Sequence, residues 1–315
     1  MVQIIVILVI IWFLQMLRDL RKMWIRLDSH ARIEKKFEIL VNQKLLTRKR
    51  NSIFNFYGEI GSKNPQKVVL LQSGVHGGLE LFAIEVLLDK IAKLDLEMLE
   101  EKRIKVIVIP IVNQYGFDNS KRTNENGVDL ARNSGYITTH LNKIPFVVGW
   151  SFYNIFMIIP VLLTGKTWYN KGFNLQRETD TLMRLYRKNL RKYKDNFFCF
   201  DFHTGNTSGE SRLFFQELYK QPHVSFINTL CSETSMHIEM IDYGTDGGFF
   251  EKVALDTGIN FNAFTVELAV IAKYTHKKYV MRYFFHTVFE PTEKEYEQQK
   301  KEADKEIDNI FSSVI

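Results

Sequence analysis

Short apolar runs of strand length recur along the chain at Ile53–Tyr57, Val68–Leu71, Ile104–Val112, Phe197–Phe202 and Asn262–Leu268. Between them the spacing changes to a helical one. From Glu80 to Leu94 the apolar positions Leu81, Ile84, Leu87, Leu88 and Ile91 fall on one helix face. Glu178 to Tyr193 reads as a basic amphipathic helix, and Thr292 to Phe311 as a strongly charged outer helix that closes the domain. Strands alternating with helices predict an α/β fold: a central mixed, largely parallel sheet flanked by helices. Ligands of such sheets sit at the carboxyl ends of the strands. The chain shows no internal repeat and no low-complexity linker.

Two stretches are too apolar for this pattern. Met1 to Leu17 is interrupted only by Gln3 and Gln15 and ends at Arg18. As a helix it reaches roughly 25 Å, just short of a hydrocarbon core. The cations follow the run, and no small-residue cleavage site does, so it reads as an N-terminal hydrophobic anchor helix rather than a cleaved signal. Residues 1–24 are thus expected to be a membrane anchor, 25–50 a basic juxtamembrane segment and 51–315 the folded domain, on the cytoplasmic side. A helix buried against the domain, or lying in the interface, is the alternative. Ile144 to Gly165 carries no charge but holds Pro145, Gly149 and Pro160. It is expected to be an apolar insertion, either a membrane-dipping lid or a hydrophobic wall for substrate.

Composition adds little beyond this. The 315 residues are 45% hydrophobic and 25% charged, as in an ordinary globular protein, with a net charge of +6. Much of the excess lies between Arg18 and Arg50, beside the apolar run, where it fits a surface of anionic lipid better than nucleic acid. No nucleic-acid signature is present. Two cysteines, Cys199 and Cys231, make no disulfide framework and read as buried thiols.

Four polar segments stand at the ends or in the middle of the apolar runs. In Ser73-Gly-Val-His-Gly-Gly-Leu-Glu80 a histidine follows a strand and a glutamate opens a helix. In Asp201-Phe-His-Thr-Gly205 a second histidine stands at a strand end. Either alone is a common turn residue; together they suit a zinc site of two histidines, a carboxylate and water. In Arg122-Thr-Asn-Glu-Asn-Gly-Val-Asp-Leu-Ala-Arg-Asn133 two guanidinium forks suit a carboxylate or an oxyanion, or else ion pairs with Glu125 or Asp129. In Thr265-Val-Glu-Leu268 a carboxylate interrupts a buried strand, which is costly unless it is paired or used as a base.

In this order the four segments resemble the zinc carboxypeptidase family, the carboxypeptidase A-like metallopeptidases, in an outlying bacterial-type branch. Asn124–Asn133 is the most specific piece, and the resemblance runs over roughly residues 50 to 290. It implies one zinc ion held by His76, Glu80 and His203, Glu267 as the base and Arg122 on the oxyanion. It further implies Arg132 and Asn133 on a substrate carboxylate and Tyr243 as a substrate contact. The implied activity is hydrolysis of a peptide or amide bond by metal-activated water. The alternatives are an inactive binding protein at a membrane and an aspartoacylase-type N-acyl amino acid deacylase.

The chain departs from the family at two places. Three residues separate His76 from Glu80 where the family has two. Either Gly77 and Gly78 absorb the extra residue or Leu79 takes the ligand position. Ala131 replaces the asparagine that usually precedes the arginine corresponding to Arg132, which removes one amide from the carboxylate grip.

Overall fold

In a computed structural model the described residues are 30–119, 121–135, 174–206, 212–215, 237–240, 248–259, 262–269 and 293–315. The anchor run, the apolar insertion 144–165 and Tyr243 lie outside them. Among the described residues no helix is long and apolar enough to cross a membrane.

Among the described residues eight strands form one sheet: β1 (Thr47–Arg48), β2 (Gly58–Gly61), β3 (Lys67–Ser73), β4 (Ile104–Ile109), β5 (Phe197–Asn206), β6 (Arg212–Phe215), β7 (His237–Met240) and β8 (Asn262–Ala269). Their order is β1-β2-β4-β3-β5-β8-β6-β7. The four central strands, β4, β3, β5 and β8, are parallel. Antiparallel pairings of β2 on β4 and β6 on β8 make the sheet mixed. This is the expected architecture, with one shift. Ile53–Tyr57 is not a strand: the Asn51 side chain accepts from the backbone amides of Ile53 and Phe54 and folds the segment into a turn. Pairing starts at Gly58 instead.

Helices cover both faces. On one lie α1 (30–42), α2 (Leu81–Ile91), α3 (Leu96–Glu101) and the C-terminal α7 (Glu293–Val314). On the other lie α5 (Arg177–Tyr193) and α6 (Phe249–Thr257), while the short α4 (Gln114–Asp118) packs at the strand ends. The period-two rule of strands divides the core between them. Phe198, Phe200 and Phe202 of β5 and Phe264, Val266 and Leu268 of β8 join the first cluster. Phe197, Cys199 and Ala263 join the second. The same alternation carries Asp201, His203, Thr265 and Glu267 to the α6 side, at the carboxyl ends of the strands.

Residues 30–50, the C-terminal part of the basic stretch, pack onto the domain. Ile33, Phe37 and Leu40 of α1 are fully buried. Arg32 and Lys36 donate to Glu85 of α2 at 2.9 and 3.0 Å, and Arg48 pairs with Glu38. α7 is charged but buries Ala303, Ile307, Ile310 and Phe311 along one stripe. Its Asp308 meets the buried Lys90 of α2 at 2.6 Å.

Candidate metal centre and its pocket

β3 ends at Ser73, and the chain turns through Gly74 (φ 71°) and Gly77 (φ 55°) into a 3-10 turn, Gly77–Glu80. This backbone settles the spacing. A side chain at Gly77 is excluded twice, by the left-handed φ and because a Cβ would stand 2.4 Å from the Gly116 carbonyl carbon. The tight turn brings Glu80 back beside His76, whose backbone amide donates to Glu80 Oε2 at 3.0 Å. Gly77 thus absorbs the extra residue, and Glu80, 1% exposed, points at the two imidazoles.

His203 Nδ1 hydrogen-bonds Glu80 Oε1. His76 Nε2 stands 4.0 Å from the same oxygen, and the two imidazole rings are 4.9 Å apart. One donor atom from each of His76, Glu80 and His203 lies within 4.8 Å of the others. Tetrahedral ligands on bonds of 2.0–2.1 Å are about 3.3 Å apart, so small adjustments complete a cation site. The remaining ring nitrogens carry carboxylates. Asp201 Oδ2 meets His203 Nε2 at 2.9 Å, and Asp129 Oδ1 faces His76 Nδ1 at 3.5 Å. Metal-binding histidines typically have such partners, which fix the tautomer and aim the other nitrogen. The residues therefore fit a zinc ion.

Charge is distributed accordingly. Burial, helped by the Arg122 guanidinium, lowers the pKa of His76 to about 4, so it is neutral and able to ligate. Asp201 and Glu80 overcome burial to raise that of His203. Against burial, the two histidines hold Glu80 below the usual carboxylate range. Burial also opposes, but Arg122 and His76 keep Asp129 well below it.

Glu267 is the cross-strand neighbour of His203. It is half-buried in the pocket wall, and burial, partly offset by His203, raises its pKa. Arg122 Nε donates to Asp129 Oδ2 at 2.9 Å, and its Nη2 stands 3.0 Å from His76 Nε2. Arg122 is thus ion-paired with Asp129, one of the sequence alternatives, and also touches His76. Asn113 holds the Arg122 carbonyl from its Nδ2 at 3.0 Å.

The pocket is lined by His76, His203 and Glu267 and, among others, by Ala131, Arg132, Asp201 and Glu251. Arg132 thus lines the same pocket as the two histidines. Asn133 makes backbone contacts: its amide donates to the carbonyl of Asn174 at 3.0 Å and accepts from the backbone of Gln176 at 2.6 Å. It ties the loop to the start of α5 and is absent from the pocket wall. Asp201 and Glu251 were not singled out by sequence reasoning, and Asp129 only as an ion-pair partner of the arginines. For Asp201 a signal existed: two residues before His203 on a strand means the same face. For Glu251 there was none, since it lies on a helix without a motif.

Residues 58–145 match a family model described as a protein of unknown function, DUF2817. No curated protein matches the chain. Among solved structures, bovine thrombin-activatable fibrinolysis inhibitor, in complex with tick carboxypeptidase inhibitor, aligns with a TM-score of 0.57 at 15% identity, over 92% of this chain and 96% of that one. Carboxypeptidase A of Helicoverpa armigera gives 0.55 at 14%, over 90% and 72%. A candidate metallopeptidase of Shewanella amazonensis SB2B gives 0.53 at 15%, over 90% and 92%. At these identities the likeness is one of fold: the chain has a carboxypeptidase-like mixed sheet flanked by helices.

Proposed function

We propose that the chain is a zinc-dependent hydrolase that cleaves a peptide or other amide bond. The observation that carries this reading is the convergence of His76, Glu80 and His203 at the strand ends with Glu267 one strand over, in register with His203. Zinc, when bound by these three residues, would polarise the scissile carbonyl and acidify water. Glu267 is placed to take a proton from the attacking water and to return it to the departing amine. Its raised pKa makes it a better proton acceptor than an ordinary surface carboxylate. Arg122, held by Asp129, stands beside His76 to receive the charge that develops on the carbonyl oxygen. Arg132, in the wall of the same pocket, is available for a carboxylate of the substrate.

The proposal includes a tether to lipid through residues 1–24, supported by their apolarity and by the cations that follow, with the hydrolase on the cytoplasmic side. Binding to anionic vesicles by the full chain and not by a chain beginning at residue 30 is the expected outcome.

The first test is elemental analysis of the purified protein. About one zinc per chain is expected, lost when His76 and His203 are both replaced by Ala. The Glu267→Gln protein should keep its zinc and lose about 10²-fold or more in turnover of whichever peptide or acyl-amino acid the wild type cleaves. Zinc binding with equal turnover in both would refute the assigned base. Absence of zinc after reconstitution at neutral pH would favour the inactive, binding-protein reading. Turnover of N-acyl amino acids alone would favour the deacylase.

A further inference from the structure

Several buried polar atoms of the described residues have no hydrogen-bond partner, both carboxylate oxygens of Glu251 among them. Two others belong to neighbouring strands behind His203: Oδ1 of Asp201 and Nε2 of Gln72. Gln72 is fully buried, and Asp201 is 4% exposed. A buried acceptor and a buried donor that lack partners are each costly, and one hydrogen bond between them removes both costs.

The backbone sets the two side by side. Gln72 of β3 is the cross-strand partner of Asp201 of β5 in a parallel pairing, which puts their backbones about 4.8 Å apart with both side chains on one face. On its other flank Gln72 pairs with Ile109 of β4, whose side chain has no acceptor. α5 lies over this face, and its Tyr186, 0% exposed, donates its hydroxyl proton to Gln72 Oε1. That bond fixes the amide: with the oxygen taken by Tyr186, the N–H end is left for Asp201. Tyr186 also shares a hydrogen bond with Cys199, which lies on the same face of β5 as Asp201. Burial, helped by Cys199 and Asp201, holds the Tyr186 hydroxyl well above its usual pKa, so it stays a donor.

We propose that Gln72 and Tyr186 are positioning residues of the metal centre, with the Gln72 amide donating to Asp201 Oδ1 and Tyr186 locking that amide. Donation then runs in one direction, from Tyr186 to Gln72 and from Gln72 to Asp201. Asp201 Oδ2 remains the acceptor for His203 Nε2, at 2.9 Å. A carboxylate held at both oxygens keeps the imidazole in one orientation, with Nδ1 turned to Glu80 and the cation position. The inference rests on the hydrolase reading for what this orientation serves; the hydrogen-bond chain itself needs no metal.

The test uses the full chain, in chelator competition for zinc and, without metal, in nitrogen-15 NMR of labelled histidine. Gln72→Met keeps the length of the side chain and removes the N–H that faces Asp201. It should weaken zinc binding by about tenfold or more, and Tyr186→Phe, which only frees the amide, should weaken it less. In an Asp201→Ala background Gln72→Met should have little further effect, because the acceptor is gone, whereas a purely structural role would add. In the metal-free protein the Nε2–H proton of His203 should exchange with solvent about tenfold or more faster in Gln72→Met than in the wild type, as loss of one charged hydrogen bond implies. Wild-type exchange in Gln72→Met, wild-type affinity in a Gln72→Met protein that binds zinc, or losses that add in full to those of Asp201→Ala would overturn the assignment. A protein that binds no zinc yet shows the Gln72-dependent exchange keeps the hydrogen-bond chain and rejects the hydrolase reading; zinc binding and turnover indifferent to Gln72 do the reverse. Should Gln72→Met fail to fold, Tyr186→Phe decides, since it removes a single oxygen: faster exchange at His203 supports the chain, and wild-type exchange overturns it.

Discussion

His76 and His203 are aimed by carboxylates, and this is where single-residue effects should be largest. Asp201 fixes Nε2 of His203, and Asp129 faces Nδ1 of His76 while also holding Arg122. Removing the charge of such a partner typically weakens metal binding by about 10–100-fold. Asp201→Asn should therefore shift zinc affinity by that factor in competition with a chelator. Asp129→Asn should do the same and also lower any turnover of the zinc-saturated protein expected under the proposed function, because Arg122 loses its anchor. A second residue-scale outcome follows from Glu251, whose pKa rises from 4.5 to about 7 on folding. In that window the native state keeps a proton that the unfolded chain has lost, so stability falls as pH rises through it and levels off above. The full penalty is about 3 kcal/mol, as an order of magnitude. Glu251→Gln should match the wild type near pH 4.5 and exceed it by that order at pH 8 in denaturant unfolding. Equal pH dependence of the two proteins would contradict the buried, unpartnered assignment.

The 3-10 turn Gly77–Glu80 is the element on which the candidate metal centre hangs. It brings Glu80 back beside His76 across three intervening residues, through a conformation available to glycine. Gly77→Ala forces a left-handed φ on a residue with a Cβ and drives that Cβ into Gly116 and the Lys121 carbonyl. Strain of this kind costs about 1–3 kcal/mol, so the expected result is a lower melting temperature together with weakened zinc binding. Gly135 also has a positive φ, but nothing would lie within 4 Å of its Cβ. Gly135→Ala should leave zinc affinity unchanged, separating strain at the site from the general cost of a left-handed residue.

For the whole molecule, the docking of α1 changes where the folding unit begins. Charge patterning places the start of the domain at residue 51, yet Ile33, Phe37 and Leu40 are in the main core cluster with α2 and α7. Each such side chain contributes roughly 1.5–3 kcal/mol on burial, and three together rival the net stability of a typical domain. A chain beginning at residue 51 should be insoluble or unfolded by circular dichroism, while one beginning before residue 30 should melt cooperatively. Cooperative melting of the shorter chain would show that α1 is an accessory.

What could be read from the sequence was what local periodicity and residue chemistry encode. The buried strands Val68–Leu71, Phe197–Phe202 and Asn262–Leu268 appear in the structure with the expected limits or slightly longer, because β-branched and aromatic runs of that length have few alternatives. His76 and His203 stood out at the ends of buried strands, Glu80 at the start of a helix beside one of them, and Glu267 because a carboxylate inside a buried strand needs a reason. Ile53–Tyr57 was misjudged because a single Asn51 turns an apolar run out of the sheet. Only the tertiary structure decided that Gly77 brings Glu80 back beside His76, that Asp201 and Asp129 face the two imidazoles, and that Glu251 and Arg132 line one pocket. These are contacts between residues far apart in the chain, fixed by sheet order and strand register, and nothing in local sequence carries that information.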